Sequence, residues 1–157
     1  MSAPQQLWPS ARLDDVARLR ALAAALPHAA YAERVIRAPF DAVWAVFGDL
    51  ERGVPRFEWS VRALEIVRRE GDALEIAASG PLGPRGRFRA IWRPGWCVMT
   101  DFSGRGQIGM AAAPEGPTRT RVAHFEGTRL LGWLARPFLE RAVRRDLARV
   151  AALCERA

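Results

Sequence analysis

His124 and Glu126 lie two residues apart in Thr118–Thr128, a stretch that alternates like a strand. The two side chains therefore share a face, and Val122 marks that face as the inner one. An imidazole beside a carboxylate in an apolar enclosure can act as general acid or base, the Glu orienting the ring. The alternative is a satisfied histidine of the core or its rim, with Glu126 near a mouth. The chain around them is unusually aromatic, with six Trp and seven Phe in 157 residues. Trp44, Phe57, Trp59, Phe88, Trp92, Trp96, Met99, Phe102, Ile108, Met110, Phe125, Trp133 and Phe138 form the wall expected of an apolar pocket, with the small Ala90, Ala112 and Ala142 leaving room in it. A filled core is the other use of such residues.

Other chemistries find little support. Gly104-Arg105-Gly106-Gln107-Ile108-Gly109 matches G-x-G-x-x-G, and Glu126 follows Gly104 by 22 residues, but Pro114 and Pro117 leave no room for the helix a dinucleotide needs. Hairpin glycines account for the motif better. Thr100, Asp101 and Ser103 belong to no nucleophile elbow. The absence of Lys removes a Schiff base or a Walker loop. Cys97, Cys154, His28 and His124 lack metal-ligand spacing, so neither a metal site nor a cofactor is expected.

The net charge of +7 and pI near 11.2 invite a nucleic-acid reading. All 24 basic residues are Arg, and Asn is absent too, which points to a GC-rich coding bias rather than selection for a partner. Acidic residues are interspersed through most of the chain. The dense stretch Arg136–Arg149 places Arg141, Arg145 and Arg149 on one helical stripe, with Glu140–Arg144 and Asp146–Arg149 at ion-pair spacing. A solvated face is the expectation, so no nucleic-acid partner is expected. Arg56, Arg85 and Arg87 read as solvated for the same reason.

These residues must be positioned by one domain's worth of elements. A helix running from Ser10, the expected N-cap, to Pro27 carries Leu13, Val16, Leu19, Ala23 and Leu26 at helical spacing. Tyr31–Ala38 is a strand. Pro39 then opens a helix with Val43, Trp44, Phe47 and Leu50, and a short piece follows near Arg52–Phe57. From Ser60 the period becomes two. Val61–Arg68, Ala73–Ala78, Arg87–Arg93, Trp96–Phe102, Arg105–Ala113 and Thr118–Thr128 are strands in meander order, with Gly80–Gly86 a loop. A helix over Leu130–Arg156 closes the chain, its apolar face carrying Leu134, Phe138, Val143, Leu147, Val150 and Cys154. Strands in a run followed by a helix mean α+β, with a seven-stranded antiparallel sheet. No membrane span or secretory leader is expected, and the cysteine usage fits a reducing cytoplasm.

Three stretches resemble the START-like helix-grip superfamily, the polyketide cyclase/dehydrase and lipid-transport (SRPBCC) group. Ile36–Trp44 with Asp49 resembles its strand-to-helix opening, Gly116–Gly127 its last strand, with Pro117 interrupting the usual Gly-Thr pair, and Leu134–Ala157 its closing helix. The resemblance spans Tyr31–Ala157 and leaves residues 1–30 as a helical extension. It implies a curved sheet gripping the long helix around a cavity for lipids, sterols, polyketides or other apolar molecules, and in some members cyclisation or dehydration. The expected partner is a small hydrophobic molecule contacted by the wall residues named above, Val122, His124 and Glu126 among them. Membrane insertion is not expected, and the oligomeric state is left open.

Overall fold

Residues 12–129 and 132–156 are described by a computed structural model. Each change of hydrophobic period becomes an element: α1 Asp15–Ala25, β1 Ala30–Ile36, α2 Phe40–Phe47, α3 Val54–Phe57, β2 Ala63–Glu70, β3 Ala73–Gly80, β4 Gly83–Arg93, β5 Trp96–Asp101, β6 Gly106–Pro114, β7 Thr120–Thr128 and α4 Gly132–Cys154. The strands form one seven-stranded antiparallel sheet in the order β1-β7-β6-β5-β4-β3-β2. Consecutive hairpins build six strands. The first strand then pairs with the last, Tyr31 opposite Phe125 and Ile36 opposite Thr120.

The inner face of the sheet and one face of α4 make the larger core. Leu74, Ile76, Cys97, Met99, Met110 and Val122 meet Leu147, Val150, Ala151 and Cys154, with Val43, Trp44 and Phe47 of α2 filling one end. On the outer face α1 buries Val16, Leu19 and Ala23 against Ala111, Ala113, Ala123 and Phe125. The short outward residues of β6 and β7 let the helix lie close. A Cβ at Gly109 would stand 2.1 Å from Phe125 and 2.8 Å from Leu19, so the second core needs glycine there. Salt bridges from Arg93 to Asp15 (2.6 Å), Arg121 to Asp14 and Arg20 to Glu33 (2.5 Å) tie the same helix down.

Several expectations change. Ser10 lies outside the described residues, and the α1 cap is Asp14, which accepts from the Ala17 amide at 2.8 Å. Gly80–Gly86 is no loop: the chain turns at Pro81-Leu82 and β4 already runs from Gly83, since a two-residue turn suffices between paired strands. Leu134 and Phe138 are exposed, and the buried face of α4 begins only at Ala142. Glu140 pairs with Arg136 at 2.9 Å, not with Arg144. Asp146 points inward, away from Arg149, because it shares its face with Ala142, Val143 and Val150. Arg87 faces outward and pairs with Glu75 at 3.2 Å.

Trp96 and Phe125 belong to the outer core, and Phe102 and Trp133 are exposed, so these four leave the expected cavity wall. Strand parity explains the first two: Trp96 alternates with Cys97, and Phe125 with His124, so neighbours cannot both face in. Among the described residues no helix is long and apolar enough to cross a membrane.

Candidate functional site

Four side chains from three elements converge between sheet and helix. β7 brings His124 and Glu126 to the inner face, the residue just after α3 brings Glu58, and the apolar stripe of α4 brings Asp146. One ligating atom from each lies within 4.8 Å of all the others. His124 Nδ1 meets the Gly109 carbonyl oxygen at 3.0 Å. A carbonyl only accepts, so Nδ1 carries hydrogen and Nε2 is turned toward the carboxyls. Nε2 stands 3.4 Å from Glu126 Oε1 and 3.9 Å from Asp146 Oδ2. The first is not aligned as a hydrogen bond and the second is too long for one, and among the described residues Nε2 and both Asp146 oxygens are buried without a hydrogen-bond partner. Ser60 holds Glu58 Oε1 with its hydroxyl at 2.6 Å and its amide at 3.1 Å.

Crowding separates the protonation behaviour of the four groups. Burial pushes Glu58 up, but hydrogen bonds from Glu126 and Ser60 and the charge of His124 outweigh it and hold Glu58 near 2. Burial, and then the charge of Glu58, push Glu126 above the usual carboxylate range against the pull of His124. Burial and the Glu58 charge lift Asp146 to about 8. For His124, burial favours the neutral ring, yet Glu126, Glu58 and Asp146 together raise its pKa. The cluster thus retains protons that ordinary carboxyls release.

Two spaces adjoin it. The inner one, between Val54, Phe57, Leu64, Phe88, Met99, Ile108, Met110 and His124, measures about 30 Å³, room for little more than a water molecule. The outer one is an open pocket of about 430 Å³ lined by Trp59, Ser60, Gly80–Gly83, Phe138, Leu139 and Ala142, with Glu126 as the single charged residue among the described lining. Trp59 and Phe138 meet edge to face at 5.9 Å there, and Arg145 lies over the Trp59 ring at 5.6 Å.

The residues singled out from the sequence therefore fall into groups. Phe57, Phe88, Met99, Ile108, Met110 and His124 surround the inner space. Trp59, Phe138, Ala142 and Glu126 surround the mouth. Trp44 and Trp92 are set apart on a surface groove, where Trp92 Nε1 donates to the Gly48 carbonyl at 2.8 Å. Ala90 and Val122 are packed in the core. Arg141 is exposed, while Arg149 donates to the Phe57 carbonyl at 3.1 Å, so the arginine stripe is partly spent holding α3. The Arg85 side chain lies outside the description, and Arg56 is exposed.

Glu58 and Asp146 were not among the expected site residues. The signal was a carboxylate in an apolar stripe: Asp146 is four residues from Ala142 and from Val150, and Glu58 is four from Val54 and three from Val61.

The glycine motif is structural. Gly104 takes a positive φ of 71° in the β5–β6 turn, which Asp101 organises by accepting from Ser103 (2.8 Å) and from the amides of Arg105 and Gly106 (both 3.0 Å).

No family model matches this chain, and no curated protein sequence matches it. Solved structures do. The Zhui aromatase/cyclase from Streptomyces sp. R1128 superposes with a TM-score of 0.63 at 18% identity, over 82% of this chain and 93% of that one. Human StAR-related lipid transfer protein 5 gives 0.62 at 18%, over 80% and 74%. A START superfamily protein from Mycobacterium smegmatis gives 0.62 at 12%, over 82% and 97%. With the strand order and the gripped helix already described, the fold of this chain is START-like, a helix-grip.

Proposed function

We propose that the protein binds a small hydrophobic molecule whose apolar body lies in the mouth pocket and whose polar end meets Glu126 and His124. The observation that carries this reading is the pocket itself: about 430 Å³ walled by Trp59, Leu82, Phe138, Leu139 and Ala142 over one carboxyl group. Ligand sites combine an apolar wall with a few placed polar groups in this way, and each buried methylene contributes about 0.8 kcal/mol. Likeness to a lipid transfer protein and an aromatase/cyclase agrees with it. The inner space is too small for a long acyl chain, which favours a compact ligand over a full lipid.

The test uses 1-anilinonaphthalene-8-sulfonate as probe. Fluorescence titration is expected to show saturable binding, weakened at least ten-fold by Leu139→Trp, which fills the pocket. Equal affinity in the variant overturns the assignment.

A second reading, an enzyme of the cyclase/dehydratase kind acting on a polyketide-like chain, is favoured by the 3.4 Å pairing of His124 Nε2 with Glu126. Here His124 would move a proton to or from the substrate's polar end, with Glu126 beside it. Turnover lost in Glu126→Gln with probe binding retained supports that reading; unchanged turnover ends it.

A further inference from the structure

The strongest unexplained feature is the set of atoms left without partners at the centre of the four-residue cluster. His124 is 2% exposed at its side chain and Asp146 is fully buried. Nε2 of the one and both oxygens of the other have no hydrogen-bond partner. Buried polar atoms are ordinarily paired, and leaving them unpaired is costly. Here the orphans face one another. With Nδ1–H committed to the Gly109 carbonyl, Nε2 presents a lone pair to carboxyl oxygens at 3.4 and 3.9 Å. A carboxyl proton shared with Nε2, a water molecule or a metal ion would each satisfy these atoms, and the geometry bears on the last.

The surroundings match what an ion requires. The backbone carbonyl that fixes the ring is the outer contact that metal-binding histidines commonly make, and Ser60 orients Glu58 in the same manner. Metal–ligand bonds of about 2.0–2.2 Å place donor atoms roughly 3.0–4.4 Å apart around one ion. The four donors lie within 4.8 Å of one another, so the widest pair must close by about 0.4 Å if trans on an octahedral ion and by about 1.3 Å on a tetrahedral one. One imidazole nitrogen with carboxylate oxygens and no thiolate suits a first-row transition metal better than a soft ion, and the imidazole disfavours calcium or magnesium. Glu126 opens onto the mouth pocket, which provides an entry path.

We propose that Glu58, His124, Glu126 and Asp146 form a mononuclear site for a divalent first-row transition metal ion, of the Mn²⁺, Fe²⁺, Co²⁺ or Zn²⁺ class. The site goes beyond the ligand reading and does not rest on it. It competes with proton movement at Nε2, since the ring nitrogen cannot serve both at once.

Co²⁺ is the probe. The full chain, stripped with EDTA and freed of it, is titrated with CoCl₂ while the visible d–d bands are followed. One Co²⁺ per chain is expected, with a rise in Tm that EDTA reverses. His28→Ala, altering the other histidine of the sequence, is expected to bind as wild type. His124→Ala is expected to bind at least ten-fold more weakly. Should His124→Ala fail to fold, Glu126→Gln, at the open side of the cluster, carries the same expectation. No saturable Co²⁺ binding up to 1 mM, binding lost in His28→Ala, or undiminished binding in both cluster variants overturns the proposal. The metal titration contains no hydrophobic probe and the probe titration no metal, so either reading can fail alone.

Discussion

Asp146 holds a carboxyl group inside a stripe of Ala142, Val143, Leu147 and Val150, where burial and the Glu58 charge lift it from 3.8 to about 8. Between those values the folded protein keeps a proton that the unfolded chain releases, so this contribution to stability is whole below the lower value and is lost as pH rises through the upper. Asn in its place does not titrate. Urea unfolding in EDTA is therefore expected to show Asp146→Asn gaining on the wild type between pH 5 and pH 8, by about 1–4 kcal/mol. A difference independent of pH would contradict the placement. The pairing of His124 with Glu126 was legible from their two-residue spacing on a strand that Val122 orients. Asp146 and Glu58 were not, because Asp146 also sits three residues before Arg149, a surface ion-pair spacing, and Glu58 lies between two aromatics. What distinguishes them is helical phase, and phase becomes decisive only when the partner face is known.

Among the elements, α1 has the least obvious purpose and the clearest attachment. Its face of Val16, Leu19 and Ala23 was readable, but not its seat, because Ala111, Ala113, Ala123 and Phe125 read merely as the other parity of two strands. Leu19→Ala is expected to cost about 2–5 kcal/mol by chemical denaturation, as for any fully buried leucine, and a change below 1 kcal/mol would mean that α1 is not docked. Gly109→Ala forces a methyl against Phe125 and Leu19 and is expected to cost about 1–3 kcal/mol by chemical denaturation. The β3–β4 connection teaches the opposite lesson. Gly80, Pro81, Gly83, Pro84 and Gly86 suggest a loop by composition, yet pairing with β3 carries β4 back to Gly83, so tertiary pairing overrides local preference there. The exposed Leu134 and Phe138 at the start of α4 escaped the sequence reading for a related reason: an apolar period shows which residues share a face, not where the sheet beneath it stops.

At the scale of the whole molecule, the order of strands and the closing helix followed from the change of period at Ser60 and from the meander turns, and the three resembling stretches agreed with it. Several of the 24 arginines are neutralised in pairs such as Arg93–Asp15, Arg87–Glu75 and Arg136–Glu140, which leaves a net charge of +7. Duplex DNA is accordingly expected to bind no tighter than the nonspecific range of about 10⁻⁴–10⁻⁶ M at physiological salt, which a fluorescence-anisotropy titration measures. The two cores also divide the sheet unequally. β7 is backed by α4 on one side and α1 on the other, and β6 by α2 and α1, whereas among the described residues no helix packs on the outer surface of β2, β3 and β4. The Pro81-Leu82 turn, which rims the mouth, belongs to that singly backed half. The singly backed half is therefore expected to be the softer one, with amide exchange faster along β2–β4 than along β6 and β7, and the proposed ligand would enter by its outward bending.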